Sequence, residues 1–338
     1  MAKEIKVGII GAGLMGHRRA DALKSVGGSV LVAVADVDFE KAKELAGKYE
    51  VKAIKNWQDL LKIEDIDAVI VSVPNKFSVP IAIEALKRGK HVLTEKPLGR
   101  DTKDAKKIIA IEKKYRKVVR VGFNHRFHAA ILKAKEIFDG GGIGKLMYIR
   151  ARYGNGGRKG MEKEWRFNKA ISGGGELHDQ GVHIIDLTRF FAGEFKEVSG
   201  SAEVKFWQSK VEDNAFVIMK KPKITAFFHV SATQWKNIFS FEIFGDWGFL
   251  NIDGKGGSYG KETLTYGRRR PEFGAPEIQT FEWDRDISWE EEWRAFLLAI
   301  NKKTSPIATT SDGLKANEIV EAIYRSSKSK RTIQIWLL

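Results

Sequence analysis

The feature that most constrains this chain lies near its start. An apolar run, Lys6–Ile10 (KVGII), breaks into Gly11-Ala12-Gly13-Leu14-Met15-Gly16 and hands over to a helical pattern from His17 to about Ser25. A second apolar run, Val30–Ala35, then ends at Asp36. Strands that are apolar throughout, rather than alternating, need helices on both faces, so this order commits the chain to a parallel βαβ unit. Gly11 permits the tight turn, Gly13 lets backbone approach a pyrophosphate, and Gly16 allows the helix to pack closely. With Leu14 and Met15 these residues form a candidate phosphate loop, because a helix N-terminus offers free N–H groups and a positive dipole end. Asp36 sits where a carboxylate accepts from both ribose hydroxyls and repels a 2′-phosphate. The expected cofactor is therefore NAD rather than NADP.

The rhythm continues. Helix is expected at Phe39–Tyr49, Ser78–Lys87 and Thr102–Tyr115, and strand at Ala68–Val73, His91–Thr94 and Val118–Phe123. That is the doubly wound α/β pattern of a Rossmann domain, assigned to residues 1–123. After Asn124 the pattern changes. A helix (Ala129–Phe138) leads into runs of alternating polarity at Leu146–Tyr153, Ala215–Met219, Ile224–Ser231, Ser240–Phe244 and Phe249–Ile252. Short turns join them, so residues 124–338 are expected to form an α+β domain around a mainly antiparallel open sheet, closed by helices near Trp289–Ile300 and Ser311–Ser326. The segment Gly140–Lys145 (GGGIGK) lacks the first Gly and final Ser/Thr of a phosphate loop and reads as a turn into a strand.

Composition narrows the chemistry. There is no cysteine, which excludes disulfides, thiolate metal sites and a cysteine nucleophile. The formal charge is +15, yet Lys and Arg are interspersed with acids as on solvated helix faces, which argues against nucleic acid as a partner. A phosphorylated or nucleotide-linked substrate is a better use of that charge. No apolar stretch reaches membrane-spanning length, and the N-terminus lacks the apolar region of a signal peptide, so a cytoplasmic location and no membrane partner are expected.

Two places carry candidate catalysis. Lys96 follows an apolar strand at the carboxyl edge where ligands bind in such sheets, and a Lys there can stabilise a developing alkoxide. The segment Ser172–Asp186 (SGGGELHDQGVHIID) places Asp179 and His183 four apart, so both lie on one helical face. His183 suits proton removal near neutral pH, and Asp179 can orient it or hold a substrate hydroxyl. His178 points off that face, and no third ligand suggests a metal.

Here a resemblance becomes specific. VGIIGAGLMG, AVADVD, VPN, GKHVLTEKPLG, VGFNHRF, GGGELHDQGVHIIDL and VEDNA resemble, in order, the motifs of the glucose–fructose oxidoreductase/inositol dehydrogenase (Gfo/Idh/MocA) family. The resemblance implies hydride transfer between nicotinamide and a secondary alcohol carbon of a sugar, cyclitol or nucleotide sugar. It implies Lys96, Asp179 and His183 as the catalytic group, and Ser72, Val73, Pro74, Asn75, Glu95 and Lys96 lining the cofactor site. It also implies a homodimer or homotetramer built through the C-terminal sheet. Asn124, His125, Arg158, Trp165 and Arg166 are the candidate substrate contacts. Ser78 and His125 depart from the family, which often has His and Arg there. Relatives also include NAD-dependent glycoside hydrolases and non-catalytic sugar-binding regulators, which remain the alternative activities.

Overall fold

The computed structural model describes residues 4–302 and 307–335; the remaining residues, including the first three of the N-terminus and the last three of the expected second domain, lie outside the described residues. By contacts the chain divides into two compact units, Met1–Phe123 with Trp289–Asn317, and Asn124–Ser288 with Glu318–Leu338.

The first unit begins β1 (Ile5–Ile10), α1 (Leu14–Ser25), β2 (Ser29–Ala35), α2 (Phe39–Lys48), β3 (Lys52–Ile54), α3 (Trp57–Leu61) and β4 (Ala68–Val71). It continues α4 (Asn75–Lys87), β5 (His91–Glu95), α5 (Thr102–Tyr115) and β6 (Val119–Gly122). The strands form one parallel sheet in the order β3-β2-β1-β4-β5-β6. The order reverses at β1, so the turn after that strand opens at the topological switch point, where such sheets bind ligands. β4 is buried at every residue, which is why its sequence carries no alternation. The short edge strand β3 and the one-turn α3 were not foreseen, because three residues are too few to show a period. α5 is capped at its start by Asp101, whose carboxylate accepts from Asp104 N at 2.8 Å.

The second unit opens with a 3₁₀ turn at Asn124–Phe127, then α6 (Ala129–Asp139), β7 (Leu146–Gly154), α7 (Lys169–Ser172), a π-helical turn at Leu177–Gly181 and α8 (Val182–Ala192). Residues 140–144 are the expected turn into β7. β8 (Glu197–Glu203), β9 (Asn214–Lys221), β10 (Ile224–Ser231), β11 (Ile238–Gly245), β12 (Gly248–Asp253), β13 (Glu262–Arg268) and β14 (Glu277–Trp283) follow. The chain closes with α9 (Ser288–Lys302), α10 (Thr310–Ser329) and β15 (Ile333–Gln334). The nine-stranded sheet has the order β14-β13-β12-β11-β7-β10-β9-β8-β15, antiparallel except for β7 beside β10. In β9, Ala215, Val217 and Met219 are buried while Phe216 and Ile218 are exposed, the alternation that identifies a one-sided sheet.

The sequence reading assigns residues 289–317 to the second domain; in the structure they cluster with the first unit. Trp293, Phe296 and Leu297 of α9 complete the core formed by Val7, Ile9, Leu31, Val34, Ile70 and Leu93. Sequence order hides this return, because an amphipathic helix does not say which sheet its apolar face will meet.

Candidate active site

The glycine turn in the first unit is built for close approach. Gly11 has φ +103°, where a side chain would be strained, and its N–H donates to Ala35 O at 2.8 Å. A Cβ on Gly16 would lie 2.1 Å from Gly11 O, so Gly16 serves contact with the turn itself as much as helix–strand packing. A Cβ on Gly13 would meet nothing within 4 Å. Gly13 is also the N-cap of α1, with no side-chain cap and no acid in the first turn, and Leu14 beside it is 68% exposed. The first N–H groups of α1 are thus left to an outside acceptor, which fits a pyrophosphate. Asp36 accepts from Ala12 N at 2.7 Å and from Asp38 N at 2.9 Å, so its carboxylate is fixed beside the turn. Ser72 Oγ donates to Gly11 O at 2.7 Å, tying the residue after β4 to the same turn. Asn75, the first residue of α4, is buried, and the buried Ser78 Oγ donates back to Asn75 O at 2.9 Å.

Glu95 ends β5 and Lys96 follows it, with a cis peptide to Pro97. The Glu95 carboxylate accepts from Arg19 Nε of α1 at 2.7 Å. Arg19 also pairs with Glu292 of α9, Arg120 of β6 lies 3.7 Å from the same carboxylate, and the Trp289 ring covers the Arg19 guanidinium at 4.5 Å. Burial works against the Arg19 charge, but Glu292 and Glu95 outweigh it and hold the guanidinium protonated. Sequence reasoning missed this group: four charges from four elements carry no local pattern.

In the second unit, Asp179 lies in the π-helical turn and His183 in the first turn of α8. The turn that carries Asp179 is wider than the regular helix expected there. The glycines before it are anchored by Glu212 of the VEDNA motif. Its carboxylate accepts from Gly175 N at 3.0 Å, Leu177 N at 3.2 Å and Tyr324 Oη at 2.7 Å. A Cβ on Gly175 would sit 2.0 Å from Glu212 O, so only glycine fits there. Burial pushes the Glu212 carboxyl up despite those donors. His178, set aside in the sequence reading, is buried with Nδ1 3.2 Å from Ser172 O. Asp186 lies one turn beyond His183, bound by Arg126 at 2.5 and 2.7 Å.

The candidate substrate contacts divide. Arg166 Nε is 3.5 Å from Asp179 Oδ2, with its guanidinium 4.7 Å over the half-buried Trp165 ring. Arg158 is 69% exposed and pairs with Glu164 at 2.6 Å. Asn124 is buried and donates to Ser288 Oγ at 2.9 Å. His125 is buried and stacked on His183, centroids 3.7 Å apart. The structure adds Tyr153 and Tyr259, whose rings lie 5.7 Å apart, and Lys255, 3.9 Å over the Tyr259 ring. Burial, then Tyr259, Asp179 and Glu176, push the Tyr153 hydroxyl well above its usual value; burial and Glu176 push Tyr259 up to about 12. Both phenols therefore stay protonated donors. Neither stands out in the sequence: Tyr153 lies near the end of β7, and Tyr259 in a glycine-rich loop. Among the described residues no group of three or more His, Asp and Glu could hold a metal ion, and no helix is long and apolar enough to cross a membrane.

This fold and glycine turn define an NAD-binding Rossmann oxidoreductase. The model of the oxidoreductase family with an NAD-binding Rossmann fold matches residues 5–123, and that of the GFO/IDH/MocA C-terminal domain matches residues 131–251; the chain belongs to the Gfo/Idh/MocA family. It is 31% identical over 208 residues to levoglucosan dehydrogenase of Pseudarthrobacter phenanthrenivorans, a match covering 58% of this chain and 53% of the relative. The chain thus spans about half the length of that relative. It is 26% identical over 342 residues to myo-inositol 2-dehydrogenase of Thermotoga maritima, covering 98% of each. A solved levoglucosan dehydrogenase in complex with NADH and L-sorbose superposes with a TM-score of 0.89 over 98% of this chain and 99% of that one. At 22% identity that likeness speaks for the fold alone.

Proposed function

We propose that this chain is an NAD-dependent dehydrogenase that oxidises or forms a secondary alcohol carbon of a polyhydroxylated substrate: a sugar, a cyclitol or a nucleotide sugar. The observation that carries the reading is the glycine turn with its open Gly13, uncapped α1 and fixed Asp36 carboxylate. Gly11, Gly13, Leu14, Met15 and Gly16 hold the pyrophosphate, Asp36 takes the adenine-side ribose and disfavours a 2′-phosphate, and Ser72 to Asn75 with Glu95 line the nicotinamide side. When bound, nicotinamide supplies the hydride acceptor.

The chain's own groups handle the proton and the oxygen. His183 removes the hydroxyl proton, Lys96 stabilises the oxygen as negative charge develops, and Asp179 orients a neighbouring hydroxyl with Arg166 beside it. Two protonated phenols and Lys255 near Asp179 suit a substrate rich in acceptor oxygens. The relatives' names, levoglucosan and inositol dehydrogenase, point to the same class. The exposed face of the nine-stranded sheet, with Tyr148, Phe216, Ile218 and Phe227, serves self-association.

The test is NAD reduction followed by absorbance over a panel of cyclitols, anhydrosugars, aldoses and nucleotide sugars. At least one should give turnover with NAD well above that with NADP. On that substrate Lys96→Met should lower kcat by about 10³-fold, a loss of roughly 4 kcal/mol of transition-state stabilisation, with NAD affinity within about twofold. Unchanged kcat in that variant removes Lys96 from the chemistry.

A further inference from the structure

His183 does not stand by itself in its unit. The His125 ring lies flat against it, centroids 3.7 Å apart and planes 22° from parallel, and both residues are 4% exposed. His125 is itself held. Asn124 Nδ2 donates to Ser288 Oγ at 2.9 Å, which turns Asn124 Oδ1 toward His125 Nδ1 at 3.2 Å. An amide oxygen can only accept, so the His125 proton is assigned to Nδ1. His128 meets the His125 ring edge-on at 5.3 Å, and Tyr153 and Phe239 close its other sides at 5.3 and 5.7 Å.

We propose that His125 is a positioning residue for His183: a neutral imidazole platform that sets the plane of the His183 ring and limits the stacked pair to one proton. The inference rests on the reading of His183 as the proton acceptor. An imidazolium above a neutral aromatic face is a favourable cation–π contact. Two imidazoliums at 3.7 Å repel strongly where water is excluded. His183 can therefore take a proton over His125, but the second ring cannot follow in the same pH range.

The charged groups around the stack have partners of their own. On the 3₁₀ turn, Arg126 is paired with Asp186 of α8. From β13, Glu262 holds His128 Nδ1 at 3.1 Å, with Asp286 at 3.6 Å. On the far side, Asp179 has Arg166 and Tyr153 has Lys255, whose ammonium lies 5.6 Å from that ring. The carboxylates of Glu262 and Asp286 thus face His128, while those of Asp179 and Glu176 act on the Tyr153 hydroxyl beside the stack.

The experiment is a histidine NMR titration of the isotopically labelled full chain, its 7 histidines assigned by single substitutions, in wild type, His125→Phe and His125→Leu. In wild type the stacked rings should titrate as a coupled pair, the second proton at least about two pH units below the first. His125→Phe keeps a flat ring, so His183 should titrate as a single site with its midpoint within about 0.5 unit of the first wild-type step. His125→Leu removes the π face and should lower that midpoint by about one unit. Independent titration of the two rings in wild type, or a His183 midpoint in His125→Leu within about 0.2 unit of wild type, overturns the proposal. If His183→Gln instead keeps full turnover, the catalytic reading of His183 fails while the titration still decides the stack.

Discussion

The two sheets of this chain solve the same burial problem in opposite ways. The six-stranded parallel sheet is covered on both faces, and its central strand β4 is apolar throughout. Charges that enter it must be compensated inside, as Arg19, Glu95, Glu292 and Arg120 are. The nine-stranded sheet buries one face and leaves the other to solvent, with Phe227 paired across from Ile218 and Tyr148 across from Phe244. A substitution in the first sheet meets protein on every side; one on the outer face of the second meets water or another molecule. Stability should therefore respond strongly to one set of changes and weakly to the other.

The strongest test removes a charge from the core around the covered sheet. Glu292→Ala leaves Arg19 and Arg120 buried with Glu95 as the remaining carboxylate of the group, a cost of about 3–5 kcal/mol. Chemical denaturation should show that loss as a lower midpoint with an unchanged slope. Because Arg19 also holds Glu95, NAD affinity should fall as well. A loss under about 1 kcal/mol would mean that the covered sheet tolerates an unpaired charge, and the contrast between the sheets would collapse.

What the sequence made legible follows the same division. Period and turn residues are local, so five of the six strands of the parallel sheet, the glycine turn, Asp36 and the alternating strands β7, β9, β10, β11 and β12 could be read directly. β8, β13 and β14 escaped, being polar enough that alternation does not stand out. The site was legible as residue types but not as partnerships. Asp179 and His183 could be singled out by spacing, but the π-helical turn between them could not. Glu212 anchoring Gly175, Arg19 holding Glu95, and His125 lying on His183 all join residues far apart in sequence or depend on side-chain packing. α9 returning to the first unit is the same lesson at the scale of an element.

A middle-sized effect sharpens the comparison through pH. His91 of β5 accepts from Val118 N at 3.0 Å through Nδ1, which requires that nitrogen unprotonated. Burial, and secondarily Lys117, push its pKa down to about 4. His229 of the open sheet is also lowered, by burial and then Arg152, while its ring stacks on Phe216 at 4.0 Å. A histidine with a depressed folded value binds its proton more readily when unfolded. Its contribution is therefore full above about pH 6.5 and is lost as pH falls toward 4. For the partly exposed His91 this amounts to about 1–2 kcal/mol after allowance for solvent screening. Denaturation midpoints at pH 7 and pH 4.5 should draw together in His91→Asn relative to wild type, and less so in His229→Asn. Equal acid sensitivity in all three proteins would deny the covered sheet its special role.

The smallest change in stability should come from the outer face, where Phe216 is 43% and Phe227 40% exposed. Replacing both with Asp removes apolar area that the folded chain leaves accessible, so unfolding of the isolated protein should shift by no more than about 0.5 kcal/mol per site. Self-association is a different matter: two carboxylates at the centre of a mated apolar face would be desolvated on assembly and would have no partner. The double variant should therefore elute and sediment as a smaller species than wild type at equal concentration, while its NAD binding is kept. If wild type is already monomeric, or the variant assembles unchanged, the outer face is not where copies meet. Its aromatic rows would then have to be explained by cross-strand packing within the sheet.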